Sequence, residues 1–164
     1  MIKGATKKGP GYELWFGKYK GKTVEQLMFV AGGQQYLSWI IGGMQHPRYE
    51  RLVLRVENVR DRGRSRMIKG KCHCNKGKAK YFSISNSGYN LGISPANLYC
   101  DQCKDNAPEN AEILPVSFKA ALLFRDAYNQ EAYIRVLKYA FFGDSNKIVT
   151  KKRAFELFYP EHVI

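Results

Sequence analysis

Two close pairs of cysteines constrain this chain more than any other feature of its 164 residues: "KCHC" carries Cys72 and Cys74, and after an interval of 25 residues "CDQC" carries Cys100 and Cys103. Cysteines paired locally, in a chain without a secretory leader, favour a metal site over disulfides. Four thiolates suit the tetrahedral, soft-ligand shell of a structural Zn²⁺. The second pair has the C-x-x-C spacing common in such sites. The first has a single intervening residue, so His73 is a substitute ligand for one thiolate. Buried free cysteines and a redox pair are the competing readings. A catalytic zinc fits less well, because four thiolates leave no position for water and no H-x-E pattern of the deaminase type lies nearby.

The charge balance points to the partner. There are 27 Lys and Arg against 14 Asp and Glu, a net of +13, and such an excess is best tolerated beside a polyanion or an acidic surface. From Arg55 to Lys80 ten basic residues (Arg55, Arg60, Arg62, Arg64, Arg66, Lys69, Lys71, Lys76, Lys78, Lys80) face only Glu57 and Asp61. In "RDRGRSR" the arginines alternate, so an extended ribbon would project Arg60, Arg62, Arg64 and Arg66 to one side, where their forks suit phosphate oxygens. Tyr89, in a Gly- and Asn-rich loop, is the candidate for stacking on an unpaired base. An apolar share of 45% and an aromatic share of 13% describe a chain that folds. No apolar run is long enough to span a membrane, and "MIKGATKKGPGYELWFG" lacks the apolar core and cleavage site of a signal peptide. The expectation is an intracellular protein with no membrane partner.

Along the chain, the sequence predicts an α+β protein in four parts: a flexible basic arm over residues 1–11, a hairpin and helix module over 12–50, a basic, β-rich, zinc ribbon-like segment over 51–106, and a helical segment over 107–164. Around "YELWFGKYKGKT" two short strands are expected to meet through a tight loop that exposes Lys18, Lys20 and Lys22. Thr23 and Gln26 form a capping box for a following helix. A second helix runs through "QQYLSWIIGG" and stops at its glycines. "RLVLRVENVR" alternates Leu52, Leu54 and Val56 against Val53, Arg55 and Glu57, the pattern of a half-buried strand, and "RMIKGKC" reads as its returning partner. "KYFSIS" is another strand, and "APENAEILP" a linker. A long helical run over 116–143 is expected to break near Asn129 and Gln130. A last helix begins at a Thr150 cap and ends before Pro160.

"FGKYKGKT", followed by Tyr36, Leu37, Trp39 and Ile40, resembles the small module at the C-terminus of exodeoxyribonuclease X-like proteins, also found in short phage and bacterial proteins. The likeness covers only residues 12–43. It implies a DNA-processing context and supplies no catalytic residues, because the exonuclease motifs belong to a separate domain. "FVAGGQQ" also stands where that module commonly has an acidic connector.

The reading that follows is a non-enzymatic nucleic-acid-binding zinc protein, DNA favoured, serving as a phage or bacterial accessory factor in replication, repair or transcription. Phosphates would be met by Lys18, Lys20, Lys22 and the Arg60 to Lys80 stretch. One alternative is a factor that binds an acidic protein partner, such as a polymerase, through an exposed aromatic patch including Phe141, Phe142, Phe155 and Phe158. Another is a small metal-dependent nuclease using acidic residues such as Asp101, Asp105, Glu109 and Glu112. No Walker A, G-x-S-x-G or H-E-x-x-H motif is present.

Overall fold

The computed structural model describes residues 11–85 and 90–162, so Tyr89 and most of the basic arm lie outside the described residues. The architecture is α+β: among the described residues there are five α-helices and one three-stranded antiparallel sheet. The chain forms two compact units, one from the residues up to Arg66 together with those from Ile148, the other from Met67–Lys147. The boundaries at 50/51 and 106/107 expected from sequence each fall inside one of these units, since residues 51–66 group with the first unit and the last helix returns to it.

In the first unit, residues 12–24 double back on themselves. The Leu14 N–H donates to the Lys22 carbonyl (2.8 Å), Gly21 N–H to Leu14 (2.9 Å) and Val24 N–H to Tyr12 (2.8 Å), while Glu13 and Thr23 form an isolated bridge where two strands were expected. The loop then enters α1 (Val24–Leu27), whose Thr23 cap has the full reciprocal box with Gln26. α2 (Gly33–Gly43) buries Leu37 and Ile40.

α3 (Glu50–Gly63) occupies the stretch read as a strand. Leu52, Val56 and Val59 are fully buried while Leu54 is 57% exposed, so the apolar spacing of four and then three residues is helical and the apparent alternation was incidental. α5 (Lys151–Phe158) starts at the expected Thr150 cap. α1 packs on α2, α3 and α5, around a core of Leu14, Val24, Leu27, Met28, Leu37, Ile40, Leu52, Val56 and Phe158.

At the centre of this unit sits a charge. Glu25 is fully buried; its Oε1 accepts from the Tyr12 N–H (3.1 Å) and its Oε2 from Arg55 Nε (3.1 Å) and Nη2 (2.6 Å). The Arg55 guanidinium lies 4.2 Å from the Tyr159 ring centroid, and Tyr159 Oη donates to Asn58 Oδ1 (2.6 Å).

In the second unit, β1 (Tyr81–Ser85) is the central strand, flanked by β2 (Leu98–Tyr99) and β3 (Ala111–Pro115). β3 replaces the expected linker: it pairs along all of β1, from Tyr81 opposite Pro115 to Ser85 opposite Ala111. Residues 67–70, expected as a strand, are irregular. α4 (Ala127–Phe142) begins later than the long helix expected, because the Asp126 side chain caps it by accepting from the Asn129 N–H. Residues before it form a short 3₁₀ turn over Lys119–Leu123.

Phe82 packs against Tyr133 (4.8 Å between centroids) and Phe124 (6.3 Å). Tyr133 Oη donates to the Ser117 carbonyl and accepts its N–H; its deep burial raises its pKa. Phe118 stacks on Phe141 at 4.5 Å. Phe141 and Phe158 are therefore core residues and Phe142 and Phe155 are half-buried, which corrects the exposed aromatic patch. No helix among the described residues is long and apolar enough to cross a membrane.

Arg55→Met would leave the Glu25 carboxylate buried without its counter-charge. The expected loss is about 3 kcal/mol of unfolding free energy, read from urea denaturation, whereas Glu50→Gln on the exposed start of α3 should change it by less than about 0.5 kcal/mol.

Candidate metal centre and basic surfaces

The first cysteine pair sits on a tight turn. Lys71 and Lys78 form an isolated bridge, Cys72 N–H donates to the Gly77 carbonyl (2.9 Å) and Asn75 N–H to the Cys72 carbonyl (2.9 Å). Asn75 takes a left-handed φ of 60°, a conformation asparagine tolerates better than most residues. The turn aims the Lys76 N–H at Cys74 Sγ (3.4 Å), a donor suited to a thiolate. α4 holds the stem of this turn: the Lys69 and Gly70 N–H groups donate to the Ala140 carbonyl (2.7 and 3.0 Å) and Tyr139 Oη donates to the Lys71 carbonyl (2.6 Å).

The second pair follows directly from β2. Lys104 N–H donates to the Cys100 carbonyl (3.1 Å), and Cys103 leads into a 3₁₀ turn over Lys104–Asn106. Gly77 lies where any larger residue would collide, since a Cβ there would stand 2.7 Å from the Cys100 Cβ. The absence of one side chain lets the two turns close on each other.

All four Sγ atoms lie within 4.8 Å of one another, and Cys74 and Cys100 are 3.7 Å apart. A tetrahedron of sulfurs about 2.3 Å from a central ion has edges of roughly 3.8 Å, so the donor set fits a tetrahedral metal. Cys72 and Cys100 are buried, Cys74 and Cys103 half-buried, and none is in a disulfide. The Cys103 thiol is pushed up to about 12, first by its hydrogen bonds with Cys100, Cys74 and Cys72. Four crowded sulfurs resist ionising together unless a cation joins them.

His73 is not part of the group. Its Nε2 donates to the Ala96 carbonyl at 2.7 Å, which corrects its candidacy as a substitute ligand. Asp101 is tied to Lys80 (2.9 Å) and Tyr81 Oη (2.9 Å), and those hydrogen bonds hold its carboxyl below the usual range. Among the described residues the cysteines are the one grouping of three or more His, Cys, Asp or Glu close enough to hold an ion.

The arginines from Arg60 to Arg66 do not form a ribbon, because α3 continues through Gly63. Arg60 donates to Gln34 Oε1 (3.0 Å), the Gln34 carbonyl (2.9 Å) and Ser38 Oγ (2.8 Å), and burial lowers its pKa. Arg62 donates to the Phe158 carbonyl and the Glu161 carboxylate and lies 4.2 Å from the Tyr159 centroid. Arg64 pairs with Asp61 at 3.6 Å. Arg66 Nε donates to the Arg62 carbonyl (3.1 Å) at the end of the helix.

Lysines behave differently. Lys18, Lys20 and Lys22 are exposed on the loop of the first unit, and Lys69, Lys71, Lys76, Lys78 and Lys80 are exposed around the cysteine turn of the second. Sequence reasoning missed Gly77 and Asn75 as parts of the cysteine turn; the "NKG" string after Cys74, with turn-forming residues at both ends, was the available signal.

No family model, curated protein or solved structure matches this chain.

Gly77→Ala is expected to weaken metal binding about tenfold or more by forcing the two turns apart. Titration with Co²⁺, followed through its thiolate charge-transfer absorbance, reads the change. Gly42→Ala, where a Cβ meets nothing within 4 Å, should leave it unaltered.

Proposed function

We propose that the protein is a non-enzymatic zinc protein that binds nucleic acid, with DNA preferred, and acts inside a bacterial or phage-infected cell as an accessory factor in replication, repair or transcription. The zinc assignment rests on an all-cysteine donor set of tetrahedral size. Zinc is the usual ion for such sets, and a closed shell of four sulfurs makes it a structural ion. Cys72, Cys74, Cys100 and Cys103 would hold it, tying the turn after Gly70 to the end of β2. When bound it contributes cross-linking and no open coordination position.

The observation that carries the nucleic-acid reading is the exposure of Lys18, Lys20 and Lys22 on one short loop. Among the described residues none of the three is in an ion pair, whereas Glu13 beside them is engaged by Lys151. The first unit carries 16 Lys and Arg against 7 Asp and Glu, and the second 11 against 7. Loop lysines held away from carboxylates are free to replace counterions along a phosphate chain. The resemblance of residues 12–43 to the exodeoxyribonuclease X-like module supports DNA as the polymer.

Purified protein should contain about one zinc per chain by elemental analysis. In fluorescence-anisotropy titrations, binding to single-stranded DNA should weaken steeply with salt. Replacing Lys18, Lys20 and Lys22 together by alanine should reduce the slope of log K against log salt by about 2, from roughly 0.7 per phosphate contact. A salt-independent affinity, or none at physiological salt, overturns the reading.

A further inference from the structure

The first unit presents an aromatic surface beside its lysine loop that the proposed function has not yet used. α2 turns Leu37 and Ile40 inward, both with no exposed area, while Trp39 between them is 55% exposed. An exposed indole on an otherwise well-packed helix is unusual, since tryptophan is highly buried on average. On its C-terminal side the indole lies over Gly43, where a Cβ would stand 3.5 Å from Trp39 Nε1, and the absence of side chains at the exposed Gly42 and Gly43 leaves the rest of the ring open to solvent.

Trp39 does not stand alone. Its ring lies 5.3 Å from that of Tyr36 at a 50° tilt. Tyr36 meets Tyr19 edge-on at 4.8 Å and 88°, and Lys18 Nζ lies 5.2 Å from the Tyr19 centroid. The series runs without a gap from the exposed indole to the ammonium group of the loop.

Gly17 fixes the arrangement. A Cβ there would come within 2.3 Å of Tyr36 Oη, and its φ of 76° is one that side chains rarely adopt. The loop therefore seats directly on Tyr36, and Lys18 emerges beside the aromatic series, with the exposed Lys20 two residues further along the loop.

We propose that Trp39, supported by Tyr36, is a stacking platform for an unpaired base, so that the polymer bound by this unit is single-stranded DNA. This rests on the nucleic-acid reading above and deepens it. Charge complementarity selects the occupant: exposed lysines meet phosphates, and the indole face meets a base from the same strand. A duplex offers phosphates but keeps its base faces stacked on one another. Only an unpaired strand satisfies both halves of the surface. Base stacking on an aromatic side chain tolerates any sequence, so the platform should show little base preference.

The test compares zinc-loaded full-length protein with its Trp39→Ala, Trp39→Phe and Lys18→Ala/Lys20→Ala/Lys22→Ala variants, using a fluorescein-labelled thymidine 20-mer and a mixed-sequence duplex of equal length. Trp39→Ala is expected to weaken single-strand binding about tenfold, with duplex binding and the salt slope unchanged, and Trp39→Phe to retain most of the affinity. Circular dichroism and thermal melting should match the parent protein, because the side chain removed is mostly in solvent.

In a Trp15→Phe background, the fluorescence of Trp39 should be quenched on adding the thymidine 20-mer. Single-strand affinity unchanged by Trp39→Ala, alongside a reduced salt slope in the lysine variant, overturns the stacking platform and leaves the phosphate reading standing. Tighter binding to the duplex than to the single strand overturns it as well. Absence of binding to either DNA by the parent protein overturns both readings.

Discussion

The buried carboxylate of Glu25 is the interaction on which the first unit depends. Removing a charge from water costs several kcal/mol even after relaxation, and here the compensation comes from three different parts of the chain. The Tyr12 N–H belongs to the doubled-back loop, the guanidinium of Arg55 to α3, and the tyrosine under that guanidinium to the end of α5. Because all three must be in place at once, the pair acts less as a source of stability than as a specification of which segments meet. The position of the loop carrying Lys18, Lys20 and Lys22 is one consequence, since its first residue in register, Tyr12, is pinned by that carboxylate.

The second unit is organised from two ends. Phe82, Phe124 and Tyr133 make an aromatic centre between β1 and α4, while the sulfurs gather around Cys100 at the end of β2. Four thiolates with a divalent ion carry a net charge of about −2 at the site. Lys71, Lys76 and Lys78 are exposed on the first turn, next to Cys72 and Cys74 in the chain, whereas Lys104 after the second pair holds its ammonium 4.7 Å from the Tyr81 ring centroid. With the proposed ion bound, part of the positive charge of this unit would offset the site itself, leaving less for a polyanion than a residue count suggests.

Features that depend on local chemistry were legible in the sequence. The Thr23 and Gln26 box, the Thr150 cap and the β1 strand follow from short-range rules, and the convergence of the cysteine pairs from the ligand chemistry they share. The errors came where two local patterns compete. In 52–59, three β-compatible aliphatics at alternate positions imitated a strand, and only the tertiary burial of Val59 with Leu52 and Val56 identifies the helix. β3 was hidden by flanking prolines and by half-buried, mixed side chains at an edge of the sheet, where pairing with β1 supplies the stability that propensity does not. Glu25 and Arg55, 30 residues apart, carry no mutual signal; in isolation Glu25 is an ordinary acidic residue in a first helical turn. His73 was plausible by position, but the turn that brings Cys72 and Cys74 inward sends the intervening side chain out to Ala96.

Three arginines of α3, Arg55, Arg60 and Arg62, have internal tasks that a charge count does not show, which is why the Arg60 to Arg66 stretch is not the ribbon its sequence suggests. A guanidinium is planar and weakly hydrated, with donors in a fixed fork, so it can serve several internal acceptors at modest desolvation cost. Arg55, Arg60 and Arg62 each satisfy such acceptors and two of them also cover the Tyr159 ring. An ammonium group is compact and strongly hydrated, and it stays in water unless a partner of high charge density draws it in. The cations of the Lys18, Lys20 and Lys22 loop are consequently flexible point charges rather than forks, while Arg48, Arg51, Arg64, Arg125, Arg135 and Arg153 are exposed guanidinium groups outside it. Under the proposed function such a loop would neutralise phosphates without reading base edges, and discrimination between polymers would fall to groups of another kind, such as the exposed indole on α2 beside the charge.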